Sequence, residues 1–97
     1  MKEPYNGYSN YPTWACVLHL HNEYYTYNAW RRRTIINLEE TKGDKFEAKY
    51  NLAAEIQDVI DQFAEETITE ANLMKDLLRY AVSEIDFVEV AESFIEE

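Results

Sequence analysis

The stretch DKFEAKYNLAAEIQDVIDQF, residues 44–63, decides the fold class of this chain. Asp44 and Glu47 form the N-cap and N3 pair of a capping box, which satisfies free backbone donors at the start of a helix. The apolar side chains that follow recur at the period of one helix face. We therefore predict a helix over about residues 45–66. Its buried stripe is Leu52, Ile56, Val59, Ile60 and Phe63.

The same signals recur towards the C-terminus. Two more capping boxes follow, Thr67 with Glu70 and Asp86 with Glu89. Each precedes another apolar stripe of helical period, which predicts helices over about 69–84 and 87–96. Their predicted inward residues are Leu73, Leu77, Leu78, Ala81 and Ile85, then Val88, Ala91 and Ile95. No glycine or proline occurs after Gly43 to interrupt them.

The N-terminal half carries weaker helix signals. Pro12 suits a first helical turn, and a helix is predicted over about 12–21. Asn22 is a cap for a second helix over about 23–39. Residues 1–10 are predicted to be an extended, tyrosine-rich arm. Together these elements predict an all-α fold, a compact bundle of four to five helices with an extended aromatic N-terminal arm.

Charge divides this single predicted domain, residues 1–97. The chain has 19 Asp+Glu and 9 Lys+Arg, a formal net charge of −10. Residues 44–97 form an acidic helical half with fifteen acids and four bases, a net of −11, whereas the arm and the aromatic segment 11–43 together carry +1. Such a charge disfavours direct binding to nucleic acid or anionic membranes and favours a partner with a basic surface. No apolar run approaches the roughly 18 residues of a membrane span.

Three side chains near the N-terminus are candidates for a catalytic or metal site: Cys16, His19 and His21. Cys16 and His19 are three residues apart and share a helix face, the geometry of a nucleophilic pair. No glycine-rich turn that would form an oxyanion hole lies nearby, so a buried cysteine beside a half-buried histidine is favoured. His19 and His21 point about 200° apart on a helix and cannot chelate one ion. We therefore predict no catalytic activity, no cofactor and no metal site.

An acidic row on the predicted 45–66 helix is the first candidate for partner binding. Acids at helical spacing lie about 5–6 Å apart, on the order of the phosphate spacing of a DNA strand. Such a row can occupy a basic groove that normally binds a nucleic acid backbone. The alternative is a solvated face that only keeps the protein soluble. The candidate residues are Glu55, Asp58, Asp61, Glu65 and Glu66.

The aromatic arm is the second candidate. Tyr5, Tyr8, Tyr11 and Trp14 recur every three residues and would line one edge of an extended arm. Tyrosine and tryptophan often anchor protein interfaces, which makes Tyr8, Tyr11 and Trp14 candidate partner-binding residues. The alternative is that the arm folds back and covers its own bundle.

The basic run Arg31-Arg32-Arg33 spans about 200° of a helix and forms no single flat patch. Arginines can bind a phosphate or a carboxylate. We favour ion pairs with acids of the C-terminal helices, which would hold the two halves together.

Two stretches of the chain resemble a family of small proteins encoded by phages, plasmids and other bacterial mobile elements. The first is YNGYSNYPTW, residues 5–14, followed by an apolar helix and Asn22-Glu23. It is similar to a family signature of the form Asn-Tyr-x-Thr-Trp. The second lies between Leu78 and Ser93 and is similar to a short acidic helix pair. At Cys16, His19 and His21 the chain departs from the family pattern.

The resemblance implies an accessory protein of the bacterial cytoplasm and no known reaction. Together with the charge, it predicts stoichiometric inhibition of a host nucleic-acid-binding defence complex, such as a CRISPR effector or a restriction enzyme. The acidic surface would then occupy a basic groove of that complex. The alternative is a non-catalytic interaction module, or a homodimer, that uses the Tyr/Trp face while the acids only confer solubility.

Overall fold

The computed structural model describes residues 4–70 and 72–96, and these residues form a short 3₁₀ turn and five α-helices. The turn is Pro4–Gly7, and the helices are α1 (Tyr11–Asn22), α2 (Tyr24–Glu40), α3 (Lys45–Thr67), α4 (Leu73–Ser83) and α5 (Phe87–Ile95). The described residues contain no strand. This arrangement confirms the predicted all-α bundle. Within the described part of the chain, no helix has both the length and the apolar character that crossing a membrane requires.

Side-chain caps explain where most helices begin. The Asp44 carboxylate accepts the backbone N–H of Glu47 at 3.1 Å, and Asp86 accepts those of Val88 and Glu89. The predicted capping boxes of α3 and α5 therefore give the starts of these helices correctly. Asn10 caps α1 by accepting the N–H of Thr13 at 2.9 Å.

The predicted start of α4 is wrong. The Thr67 hydroxyl donates to the carbonyl of Phe63 at 2.7 Å and therefore belongs to the last turn of α3. Ile68 then leaves the helix in an extended conformation. The cap of α4 is Asn72, which accepts the N–H of Lys75 at 3.0 Å. The Thr67 hydroxyl bonds within α3 and therefore does not cap a helix at residue 69. Helix α4 begins instead at Leu73, after its cap Asn72.

The N-terminal arm is not extended where the structure describes it. Tyr5 and Asn6 have left-handed backbone angles, with φ of 58° and 54°, inside the 3₁₀ turn. The following residues lie against α5 and the segment before it. Ser9 donates its backbone N–H and its hydroxyl to the Glu89 carboxylate at 2.8 and 2.6 Å. The alternative in which the arm folds back on its own bundle is therefore confirmed for residues 4–10. Residues 1–3 of the predicted arm lie outside the described residues.

The short helix α5 lies at the centre of the core. It contacts α1, α2 and α3. Its side chains Val90, Ala91 and Phe94 are fully buried, as are Leu52 and Ile56 of α3. These two helices supply most of the buried apolar side chains, and α1 and α2 add three more: Val17, Leu20 and Trp30.

Part of the predicted core faces solvent instead. Val59 and Phe63 of the α3 stripe are 37% and 61% exposed. At about 1.5 Å per residue, α3 is about 35 Å long, whereas α5 has only nine residues. The last turns of α3 therefore extend beyond the part of the core that α5 covers.

Candidate protein-binding surface

The outer side of α4 carries an exposed apolar surface. We call it the α4 face; it consists of Leu73, Met74, Leu77 and Tyr80, which are 68%, 54%, 55% and 58% exposed. The prediction that Leu73, Leu77 and Ala81 lie in the core is wrong, because all three are exposed. Helix α4 packs mainly against α3, and its only buried residue is Lys75. The apolar side chains of the α4 face therefore project away from the bundle.

Ion pairs to one carboxylate hold α4 on α3. The Lys75 ammonium lies 3.1 Å from Glu65 Oε2, and the Arg79 guanidinium lies 3.2 Å from Glu65 Oε1. The hydrogen bond from Lys75, followed by the charge of Arg79, lowers the pKa of Glu65 below its ordinary value. Glu65 is therefore ionised at neutral pH and engaged within the protein.

An apolar groove lies beside the α4 face, between α1 and α4. We call it the α1/α4 groove; its volume is about 350 Å³. Ala15, Cys16 and His19 of α1 line one side of it. Leu78 and Ala81 of α4 line the other. Because Ala81 follows Leu77 by one helical turn, the groove and the α4 face form one continuous apolar surface.

The Cys16 thiol in this groove is poorly suited to nucleophilic chemistry. Burial raises the pKa of Cys16 to about 11, so the thiol is protonated at neutral pH. His19 lines the same groove but is itself exposed. Cys16 therefore contributes a small apolar surface to the groove and not a thiolate.

The acidic row of α3 is divided between internal and external roles. Glu55 accepts hydrogen bonds from Arg33 at 2.6 and 3.1 Å and from the Asn37 amide at 2.8 Å. The Arg33 hydrogen bond, with that of Asn37, lowers the pKa of Glu55 despite partial burial. This pair confirms, for Arg33, the prediction of ion pairs with the C-terminal half. Glu55 and Glu65 are thus engaged within the fold.

Three candidate acids remain available to a partner. Asp58, Asp61 and Glu66 are exposed, and no ion pair joins them to a lysine or arginine among the described residues. Glu66 accepts a hydrogen bond from the Gln62 amide at 3.1 Å. Loss of the two engaged carboxylates interrupts the row, and the surviving acids lie towards the C-terminal end of α3.

The aromatic residues of the arm separate into two groups. Tyr5 and Tyr11 are in edge contact, with ring centroids 6.1 Å apart, and Tyr11 contacts Trp14 at 5.7 Å. Tyr8 instead packs against the core and lies beside Glu89 and Glu92. Burial and these two charges raise the pKa of Tyr8. Of the three candidates, Tyr11 is the most exposed, at 58%.

Hydrogen bonds join the two stretches that carry the family resemblance. The Asn10 side chain donates to the carbonyl of Glu84 at 2.7 Å. The backbone N–H of Asp86 donates to the fully buried hydroxyl of Thr13 at 2.8 Å. The N-terminal motif therefore holds the α4–α5 connection in place, which gives Asn10 and Thr13 a structural role.

The sequence contains a signal for the α4 face that the core prediction overlooked. At about 100° per residue, the apolar residues between Leu73 and Val82 cover about 200° of the helix circumference. A helix that covers a core on one side needs a narrower stripe. This width indicates two apolar faces, of which the bundle covers only one.

Searches for related proteins and for metal sites add no further assignment. Comparison of the chain with protein-family models, with curated proteins and with solved structures found no match. Within residues 4–70 and 72–96, no three histidine, cysteine, aspartate or glutamate side chains are grouped to hold a metal ion. The function must therefore be argued from the surface itself.

Proposed function

We propose that this protein acts by stoichiometric binding to another protein, without catalysis, and that the α4 face with the α1/α4 groove is its main contact surface. The observation that carries the proposal is the exposure of Leu73, Met74, Leu77 and Tyr80 side by side on one helix. Contiguous apolar side chains on the surface of a small protein are typical of an interaction site.

The charge around the α4 face favours a basic partner over a second copy. Asp76 lies beside Leu73 on the helix surface, and Glu84 accepts a hydrogen bond from the Tyr80 hydroxyl at 3.3 Å. Two copies would bring net charges of −10 together, and like charges oppose association. A partner with an apolar segment bordered by lysine or arginine would complement both the apolar face and its acidic border.

The resemblance to mobile-element proteins suggests which kind of partner this is. Such elements gain from blocking host defence, and defence complexes that act on nucleic acid carry basic surfaces. We therefore infer that the partner is a nucleic-acid-binding host defence protein or nucleoprotein complex of the bacterial cytoplasm.

Paired variants on exposed side chains test the α4 face. The tagged protein would be used to capture complexes from bacteria with active restriction or CRISPR systems, and the affinity for the purified partner would then be measured. Leu77→Glu should weaken binding by at least about tenfold, as expected for an interface anchor. Phe46→Glu makes the same change on another exposed apolar residue, near the opposite end of α3, and should have little effect. Equal affinities for both variants would contradict the proposal.

A second candidate function is occlusion of a nucleic-acid groove by the acids alone. The exposure of Asp58, Asp61 and Glu66 on α3 favours it. Charge reversal at Asp58 and Asp61 tests it without breaking the internal pairs of Glu55 and Glu65. If occlusion by the acids dominates, the charge-reversed variant loses binding to the partner while Leu77→Glu retains it. Added salt should then slow association. The reverse pattern would leave the acids with a role in steering and solubility.

A further inference from the structure

Helix α2 presents a second exposed surface, different in chemistry from the α4 face. We call it the α2 patch; it consists of Tyr24, Tyr25, Asn28, Arg31, Arg32 and Ile35, which line a shallow depression of about 650 Å³ with Ala29. Tyr24 and Tyr25 are 73% and 85% exposed, and their rings meet edge to face with centroids 5.3 Å apart. Ile35 adds an apolar side chain that is 47% exposed.

The α2 patch carries two arginines on an acidic protein. Arg33 is held by Glu55 on another side of the helix, whereas Arg31 and Arg32 line the depression. Arg32 is exposed, and among the described residues no carboxylate forms an ion pair with it. Tyrosine and arginine, with tryptophan, are enriched among the residues that contribute most of the binding energy at protein interfaces.

We infer that the α2 patch is a docking site for a short acidic peptide segment of a partner protein, one that carries an apolar side chain next to its carboxylates. A guanidinium binds a carboxylate through two parallel hydrogen bonds, which suits Arg32. The tyrosine rings and Ile35 would cover the apolar side chain. This site is independent of the proposed function of the α4 face, because it lies on another helix and selects the opposite charge.

The extent of the patch favours a peptide over a nucleic acid. From Tyr24 to Ile35 the helix rises about 16 Å. Acids lie at both ends, with Glu23 before the patch and Glu39 and Glu40 after it. A nucleic acid strand that continued past the patch would place phosphates against these carboxylates, and its affinity depends on many cation contacts. A short peptide that ends between these acids avoids this repulsion.

Selection from a displayed library of short random peptides tests this site on the full-length protein. Peptides would be selected on the wild type and counter-selected on Arg32→Glu. We expect the enriched sequences to combine at least one carboxylate with a neighbouring aromatic or aliphatic residue. In solution, Arg32→Glu and Tyr25→Ala should each weaken the selected peptide by at least about tenfold. The control Lys45→Glu makes the same charge change at an exposed position and should bind as the wild type.

The remaining outcomes would overturn the inference. One is the absence of enrichment, and another is enrichment of peptides without carboxylates. If Arg32→Glu and Lys45→Glu weakened peptide binding equally, the change in net charge would explain the loss of affinity and the α2 patch would not. Oligothymidylate would be titrated in parallel, and tighter binding of that probe than of the selected peptide would assign the patch to single-stranded nucleic acid. Circular dichroism of each variant distinguishes loss of binding from loss of folding.

Discussion

At the scale of single residues, a few hydrogen bonds between distant positions organise the molecule. The Thr13 hydroxyl, fully buried, accepts the backbone N–H of Asp86. Asn10 both caps α1 and donates to the carbonyl of Glu84. Burial makes such bonds important, since a buried polar group without a partner costs more free energy than the bond itself contributes. The backbone groups that they satisfy thus explain Asn10 and Thr13 of the Asn-Tyr-Pro-Thr-Trp motif.

Replacing Thr13 with valine should remove the hydrogen bond between the Thr13 hydroxyl and the backbone N–H of Asp86. The Asp86 N–H would lose its acceptor, and the free energy of unfolding should fall by about 1–3 kcal/mol. Urea denaturation measures the fall, and hydrogen exchange should show faster exchange at the Asp86 amide. Thr13→Ser keeps the hydroxyl and should retain protection of that amide. Equal protection of Asp86 in the valine and serine variants would contradict the assigned role.

The Arg33–Glu55 pair should make stability depend on pH in the acidic range. The hydrogen bond from Arg33 lowers the pKa of Glu55 in the folded protein below its ordinary value of 4.5. The stabilisation is therefore present above pH 4.5 and is lost as the pH falls through the lowered value. Glu55→Gln should reduce the urea midpoint at pH 7 and approach the wild type on acidification. A difference that stays constant between pH 7 and pH 3 would argue against this pair.

At the scale of helices, α4 differs from the other four because it is joined to the bundle mainly through α3. Its lysine and arginine reach one carboxylate, Glu65, while the apolar residues of the α4 face are exposed to solvent. The sequence predicted the existence of α4 but not its first residue, because Thr67 and Asn72 offer competing caps. It also could not indicate which side of a widely apolar helix the bundle would cover.

Removal of the Glu65 charge should loosen α4 alone. In Glu65→Gln, backbone amides within Leu73–Ser83 should exchange faster, while those of α5 keep their protection. Hydrogen exchange followed by mass spectrometry resolves the two helices. Asp58→Asn is the matched control, since it neutralises an acid of α3 that has no ion pair within the described residues. The role of Glu65 would be refuted if both variants changed α4 equally or not at all.

At the scale of the whole molecule, a large negative charge and an exposed apolar surface oppose each other. The net charge of −10 keeps copies apart, whereas the α4 face favours association. The range of the repulsion is about 30 Å at 0.01 M salt and about 3 Å at 1 M. We therefore expect the state of association to depend on ionic strength.

We expect the protein to be monomeric at low ionic strength and to self-associate as salt is raised. Sedimentation velocity at 0.01 M and 1 M sodium chloride measures the change. Leu77→Glu should remain monomeric at both concentrations, and Phe46→Glu should behave as the wild type. A mass that is independent of salt would contradict this expectation, and equal association of the Leu77→Glu variant would show that self-association does not use the α4 face.

Apart from the turn Pro4–Gly7 and the start of α4, the elements of this protein follow from its sequence alone, because the signals that define a helix act within a few residues. Capping side chains, the helical apolar period and the two prolines and two glycines before Asp44 suffice to predict a bundle of four to five helices and an acidic C-terminal half. The candidate surface depends on contacts between residues far apart in the chain. Only the tertiary structure decides that Glu55 and Glu65 form ion pairs within the protein. It also decides that Tyr8 packs against the core apart from the other arm aromatics, and that Leu73 and Leu77 of α4 are exposed to solvent. These outcomes depend on which helix covers which face, and no local pattern contains that information.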